Sequence, residues 1–242
     1  MIKINIAIVL AGGTGTRIGA KIPKQFIKVL GKPIIIYTLE AIEQNQMIDQ
    51  IVLVCVKSHM DLAKEYCEKY QIRKAKTFIG GGIDFTSSCY NGMNALRGTC
   101  SPEDIVMITS ADRPFITQEE INDSIIVCRK HGSGVAAGPC ARCMFMAEGS
   151  REHSSNYQRD ELIETATPWS FGYGKLMNAL DLFKSGELPA CESYPVAIYV
   201  AAGNEAYFSK KDPNNIKITE QVDLAIMEQV LKERVQDECT KV

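Results

Sequence analysis

No apolar run in this sequence approaches the ~20 consecutive residues of a membrane-spanning helix, so no integral membrane protein is expected. Neither sign of charge dominates: 27 lysines and arginines face 29 aspartates and glutamates, a formal net charge of −2. That balance argues against a broad nucleic-acid footprint and leaves room only for a local basic pocket. Histidine is scarce, and His59, His131 and His153 stand alone without the spacing of a metal site. The nine cysteines contain one close pair, Cys140-x-x-Cys143. A zinc ribbon needs a second such pair, and the sequence has none. The cysteine number is odd, and the first residues read directly as a strand with no secretory pattern. Reduced thiols and a cytoplasmic location are therefore expected. Internal repeats and low-complexity tracts are also lacking.

What is present is an ordinary globular composition, 45% hydrophobic and 23% charged over 242 residues. That length fits a single domain spanning 1–242. Strand-like runs at 4–10, 51–56, 77–79, 105–108, 134–138, 197–202 and 216–218 are interleaved with helical patterns. The helices fall from Pro33 onward, at 60–70, 86–96, 118–131, 174–184 and from 221 to about 235. This alternation predicts an α/β fold, a mostly parallel sheet with helices on both faces. Ligands in such folds sit at the carboxyl ends of strands, near the point where strand order reverses. The loops after Leu10 and Ile108 are the two candidates. The segment 140–165 is polar, aperiodic and too long for an ordinary loop. It reads as an arm or hairpin leaving the main body.

The first candidate loop reads Leu10-Ala11-Gly12-Gly13-Thr14-Gly15-Thr16-Arg17-Ile18-Gly19, followed by Pro23-Lys24-Gln25-Phe26. Glycines let a backbone approach a polyphosphate and turn its N–H groups inward. The spacing fits neither a dinucleotide fingerprint nor a P-loop, because Ile18 occupies the position of the third glycine and no Gly-Lys pair has the P-loop frame. Arg17 supplies a planar fork for phosphate oxygens and Lys24 a point charge. Two cations on a glycine loop suit a triphosphate. The second loop, Ile108-Thr109-Ser110-Ala111-Asp112-Arg113-Pro114-Phe115, places an aspartate just past a buried strand. Read locally, Asp112 fits either a Mg²⁺ site beside phosphates or a turn cap.

These segments resemble the methylerythritol-phosphate and ribitol-phosphate cytidylyltransferases, the ribitol type slightly more. The glycine loop with Pro23-Lys24-Gln25-Phe26 carries most of the likeness. Gly81-Gly82 with Ser88 and Gly92 is similar to G-G-x-x-R-x-x-S-V-x-x-G, and Ala111 to Phe115 is similar to D-A-A-R-P-F. Arg159, Leu162, Thr167, Pro168 and Phe171 fit a third family segment, and Asn215-Ile216-Lys217-Ile218-Thr219 a fourth. The resemblance implies a Rossmann-like nucleotidyltransferase fold with an extended β-arm, CTP as co-substrate, Mg²⁺, and a phosphorylated alcohol as acceptor. Arg17, Lys24 and Lys217 would be catalytic. The residues 10–16, Gly81, Gly82, Ser88, Ser110 and Ala111 would hold the nucleotide. Arg113, Arg159 and Thr167 would bind the acceptor. The arm would pack against a second subunit, placing Arg159 in the partner's site.

The sequence also departs from the family. Phe85 replaces the arginine of the second segment, and Trp169 a glutamine. Ser110 takes the usual aspartate position, so Asp112 is expected to take over the metal role. The arm's acceptor motif reads Arg142-Cys143-Met144-Phe145. The nucleotide end is thus better kept than the acceptor end. Three other readings stay open: a methylerythritol-phosphate enzyme, a transferase for another base or another phosphate or phosphonate, and a nucleotide binder without catalysis.

Overall fold

The computed structural model describes residues 3–13, 19, 22–147, 154–156 and 158–240. Along the chain run β1 (Asn5–Ala11), the short strands β2 (Lys28–Val29) and β3 (Lys32–Pro33), and α1 (Ile34–Gln44). Next come β4 (Gln50–Cys55), α2 (Met60–Lys69), β5 (Ala75–Gly80), α3 (Phe85–Asn94), β6 (Ile105–Ser110), α4 (Gln118–His131) and β7 (Ser133–Pro139). The chain then forms β8 (Phe145–Ala147), β9 (Ser154–Asn156), β10 (Ile163–Gly172), α5 (Tyr173–Ser185), α6 (Pro195–Ala201), β11 (Phe208–Lys210) and α7 (Gln221–Thr240).

Seven strands form one sheet in the order β11-β7-β10-β6-β1-β4-β5. β1 pairs in parallel with both β4 and β6, and β10 runs antiparallel between β6 and β7. Every residue of β1 is buried. Its alternate side chains serve two cores, as expected of a strand covered on both faces. Ala7, Val9 and Ala11 pack with α1, α2 and α4, whereas Ile6, Ile8 and Leu10 pack with α3, α5 and α6. A third cluster joins Phe115, Ile218 and Met227, laying α7 beside the sheet's end. The mostly parallel sheet with helices on both faces is as expected.

Local chemistry sets the element ends. Thr117 and Glu120 form a reciprocal capping box that starts α4, and Gly132 at φ 95° ends it in the left-handed conformation. Asp84 and Ser87 cap α3 in the same way.

Two expected strands are absent. Residues 197–201 lie in α6 and Ala202 caps it, so the expected strand at 197–202 is absent. Pro195 sits in the first helical turn, and only Ile198 and Tyr199 of the helix's large side chains are fully covered; the run is too short for its period to show. Residues 216–218 belong to no strand. β10 was not anticipated because Pro168 interrupts it. The β7–β10 register shifts between Thr165 and Trp169, the kind of irregularity where a proline's missing N–H is tolerated.

After β7 the chain leaves the seven-stranded sheet and rejoins it at Ile163, inside the segment 140–165 expected to form an arm. The Cys140 N–H donates to the Leu162 carbonyl, and β8 pairs antiparallel with β9 in a separate two-stranded sheet. Among the described residues, no helix is long and apolar enough to cross a membrane. The buried thiols of Cys55, Cys67, Cys89 and Cys128 are pushed up to about 11 or 12 by burial, so they behave as packing groups.

Where α4 crosses β7, a Cβ on Gly134 would collide with the Ser124 carbonyl of the helix backbone. Gly134→Ala should therefore lower unfolding stability by about 2–3 kcal/mol, read by denaturant unfolding.

Candidate active site

Strand order reverses at β1, which opens a crevice at the carboxyl ends of β1 and β6. Leu10 and Ser110 are register partners there, and both line a cavity of about 500 Å³. Its floor is glycine backbone. An ideal Cβ on Gly12 would lie 3.1 Å from Ser88 Oγ, and one on Gly81 would lie 3.2 Å from the Gly12 Cα. The two turns therefore approach as only glycines allow. The Gly82 N–H donates to Ser88 Oγ at 3.0 Å, and the buried Gln25 Nε2 donates to the carbonyls of Ala11 and Gly13. Ser88 and Gln25 thus hold the shapes of the two turns.

Charge enters from elements distant in sequence. Lys24 and Asp112 are both buried, with Nζ 2.5 Å from Oδ2. Lys24 Nζ also donates to the Ile218 carbonyl at 2.6 Å, and the Ile218 N–H donates to the Asp112 carbonyl. The turn at Lys24–Phe26, the end of β6 and the 212–219 segment are therefore locked together by one ammonium and one carboxylate. Asp112 Oδ1 is buried without a hydrogen-bond partner. Among the described residues, no three His, Cys, Asp or Glu side chains converge as a metal cage. The donor set fits a Mg²⁺ held by one carboxylate and mainly by phosphate oxygens, the coordination that ion favours.

Lys217 stands on the wall between this cavity and a second one of about 890 Å³; Phe85, Ser110 and Lys217 line both. Its ammonium lies 5.9 Å from the Phe85 ring centre. The loop carrying it is anchored by Asn215, whose side-chain amide donates to Glu120 Oε1 and to the Thr167 carbonyl. Arg113 Nη1 donates to the Asn215 carbonyl at 2.6 Å. Burial lowers the Arg113 pKa below its ordinary value, opposed by Asp112, Glu120 and Glu164. Burial likewise raises that of Glu120, opposed by hydrogen bonds from Asp212, Asn215 and Thr117.

The family model described as 2-C-methyl-D-erythritol 4-phosphate cytidylyltransferase matches residues 5–233. The chain belongs to this family. A relative from Lacticaseibacillus paracasei named ribitol-5-phosphate cytidylyltransferase is 35% identical over 229 residues, covering 94% of this chain and 98% of the relative. One from Alkaliphilus oremlandii, named 2-C-methyl-D-erythritol 4-phosphate cytidylyltransferase, is 32% identical and covers 94% of each chain. The solved structure of 4-diphosphocytidyl-2C-methyl-D-erythritol synthase from Anaerococcus prevotii has a TM-score of 0.79 at 22% identity, covering 95% of this chain and 96% of that one. It shares the fold.

Against the residues expected of a cytidylyltransferase, Leu10, Gly12, Gly13, Lys24, Gly82, Ser88, Ser110, Asp112 and Lys217 line the first cavity. Arg113 and Thr167 line the second. Ala11, Gly81 and Ala111 line neither cavity; the Ala111 N–H donates to the Leu10 carbonyl and ties the two strand ends. Thr14, Gly15, Thr16 and Arg17 lie outside the described residues. Arg159 sits on an exposed turn at Arg159–Glu161, beside Asp160, and lines neither cavity of its own chain.

Sequence reasoning missed Gln25 as a loop clamp and Glu120 as an anchor. Thr117-x-x-Glu120 was legible as a helix start, but not the grip of Glu120 on Asp212 and Asn215, 92 and 95 residues away. Because the folded pKa of Glu120 is raised, its contribution to stability is fully present below the ordinary value of 4.5. That contribution is lost as pH rises through the folded value. Glu120→Gln should remove this pH dependence, which paired thermal unfolding of wild type and variant from pH 4 to 8 will reveal.

Proposed function

We propose that this chain transfers CMP from CTP to the phosphate of a small polyol, with ribitol 5-phosphate as the leading acceptor, and releases pyrophosphate. The observation that carries this reading is the meeting of two cavities at Lys217. A nucleotide in the glycine-lined cavity and a phosphate in the second would face each other across that ammonium. The likeness to the ribitol-5-phosphate enzyme supports this choice of acceptor.

In this mechanism an acceptor phosphate oxygen attacks the α-phosphorus in line. No general base is required, because a phosphate monoester's second pKa of about 6 leaves it anionic near neutrality. The protein positions the reactants and neutralises developing charge. Backbone groups of the glycine loop at 10–16, with Gly81, Gly82 and Ser88, hold the nucleotide. Lys24 sits at the polyphosphate, fixed by Asp112 and the Ile218 carbonyl, with Arg17 from the same loop. Lys217 neutralises charge at the α-phosphate. Asp112 would hold Mg²⁺, which when bound supplies further charge neutralisation on the phosphate oxygens. Arg113 and Thr167 face the acceptor. The β8–β9 arm packs on a second subunit in this reading, so that Arg159 reaches the partner's acceptor cavity.

A second reading, a phosphate or phosphonate acceptor other than ribitol 5-phosphate or 2-C-methyl-D-erythritol 4-phosphate, is favoured by Phe85 and Trp169, which line the acceptor side where the family pattern is polar.

Pyrophosphate release with CTP and Mg²⁺ should be saturable in ribitol 5-phosphate; silence with ribitol 5-phosphate, methylerythritol phosphate and a small phosphonate alike would sink the transferase reading. Lys217→Ala should lower kcat about 100-fold or more with little loss of fold. Asp112→Asn should abolish Mg²⁺-dependent turnover and weaken Mn²⁺ binding to the CTP complex, as followed by electron paramagnetic resonance. Unchanged turnover would assign the metal elsewhere.

A further inference from the structure

The second cavity is built from two chemically different parts. Its inner end, near the nucleotide cavity, is cationic and polar. Lys217 and Ser110 are shared with the first cavity, and Arg113 lines the wall with its Nε lacking a partner. The Thr167 hydroxyl at this end accepts from the Thr109 hydroxyl and keeps its own proton to donate. The outer wall comes from the segment entering α6 and from α6 itself. Pro189, Tyr194, Val196, Val200 and Ala201 line it. Tyr194 is 51% and Val200 48% exposed, so this face has apolar surface still open to water. Between the two parts, Phe85 meets Trp169 edge-on at 5.9 Å and Tyr194 at 5.8 Å, an aromatic wall. Away from the inner end, Thr165, Glu192 and the Tyr194 hydroxyl are the hydrogen-bonding side-chain groups that line the cavity among the described residues, and the Trp169 Nε1 is buried in its wall without a partner.

We infer that this cavity selects its acceptor by the phosphate and the carbon skeleton, not by the hydroxyls along the chain. The acceptor class is a short-chain phosphate or phosphonate whose distal carbons lie against Phe85, Tyr194 and Val200 while its anionic end meets Lys217 and Arg113. The inference rests on the cytidylyl-transfer reading and refines its acceptor. Hydroxyls moved from water to an apolar wall lose partners that the wall does not replace. Carbon moved there gains by leaving water. A site built to bond a substrate hydroxyl rejects the analogue lacking it by about 10⁴-fold or more, whereas an apolar site discriminates by only about 10–200-fold. Ribitol 5-phosphate enters such a cavity through its phosphate and its C–H face, and its interior hydroxyls are dispensable.

The chain's one tryptophan is Trp169, so intrinsic fluorescence reports occupancy of this cavity independently of turnover. The experiment compares ribitol 5-phosphate with 5-hydroxypentyl phosphate, which lacks the interior hydroxyls, on the intact enzyme with CTP and Mg²⁺. Both should shift the Trp169 emission saturably. The kcat/KM for pyrophosphate release with the pentyl compound should lie within about tenfold of the ribitol value, or above it. Val200→Asn, on the exposed helix face, should shift preference toward ribitol 5-phosphate by about tenfold and leave the KM for CTP unchanged. A loss of 100-fold or more with the pentyl compound, while ribitol 5-phosphate turns over, overturns the inference and leaves the transferase standing. Turnover of ribitol 5-phosphate without an emission change also overturns it, by placing the acceptor elsewhere. Neither turnover nor an emission change with either compound brings down the transferase reading for these acceptors and the inference together.

Discussion

β1 is buried along both faces and paired along both edges, so its carboxyl end is held from every side. The glycine turn that follows it inherits that rigidity. Because β4 lies to one side of β1 and β6 to the other, the loops leaving the three strand ends diverge and a crevice forms between them. The backbone contact between Gly12 and Gly81, with Ser88 beneath, follows from this arrangement. So does the position of Asp112, which leaves β6 at the level where Leu10 leaves β1.

Onto this frame the protein places charges that it must also hold in check. An isolated buried ammonium or carboxylate is costly. Lys24 and Asp112 offset each other, and the Ile218 carbonyl takes a further ammonium proton. The same three-way contact brings the 212–219 segment to the crevice and Lys217 with it. Glu120 and Arg113 grip that segment from behind through Asn215. The cationic strip is thus a tertiary construction with contributions from the chain's beginning, middle and end. The two cavities it separates differ in chemistry. The first is lined by glycine and hydroxyl groups, which suit a charged polyphosphate; the second grades into aromatic and aliphatic surface.

Helices with two capping signals, such as α4, and strands with continuous β-branched runs, such as β4, were legible at nearly their observed bounds. β10 was not, because its proline is tolerated at a register shift that only the pairing of β7 and β10 creates. α6 was not, because seven residues carry too little periodicity to distinguish a half-buried helix from a buried strand. In the site, glycines, Lys24, Ser88, Asp112 and Lys217 stood out as residue types in a recognisable order, and nine of the expected residues line the first cavity.

The sequence by itself determined the alternation of strands and helices, the glycine turn after β1 and the family to which the chain belongs. These depend on local backbone freedom and on periodic burial, which are written in neighbouring residues. Only the tertiary structure decided that Asp112 pairs with Lys24, that Glu120 anchors the Lys217 loop, and that Phe85, Trp169 and Tyr194 make one wall. Those contacts join side chains from separate segments, often dozens of residues apart or more, and such proximity is fixed by sheet order and helix packing, for which no local pattern exists.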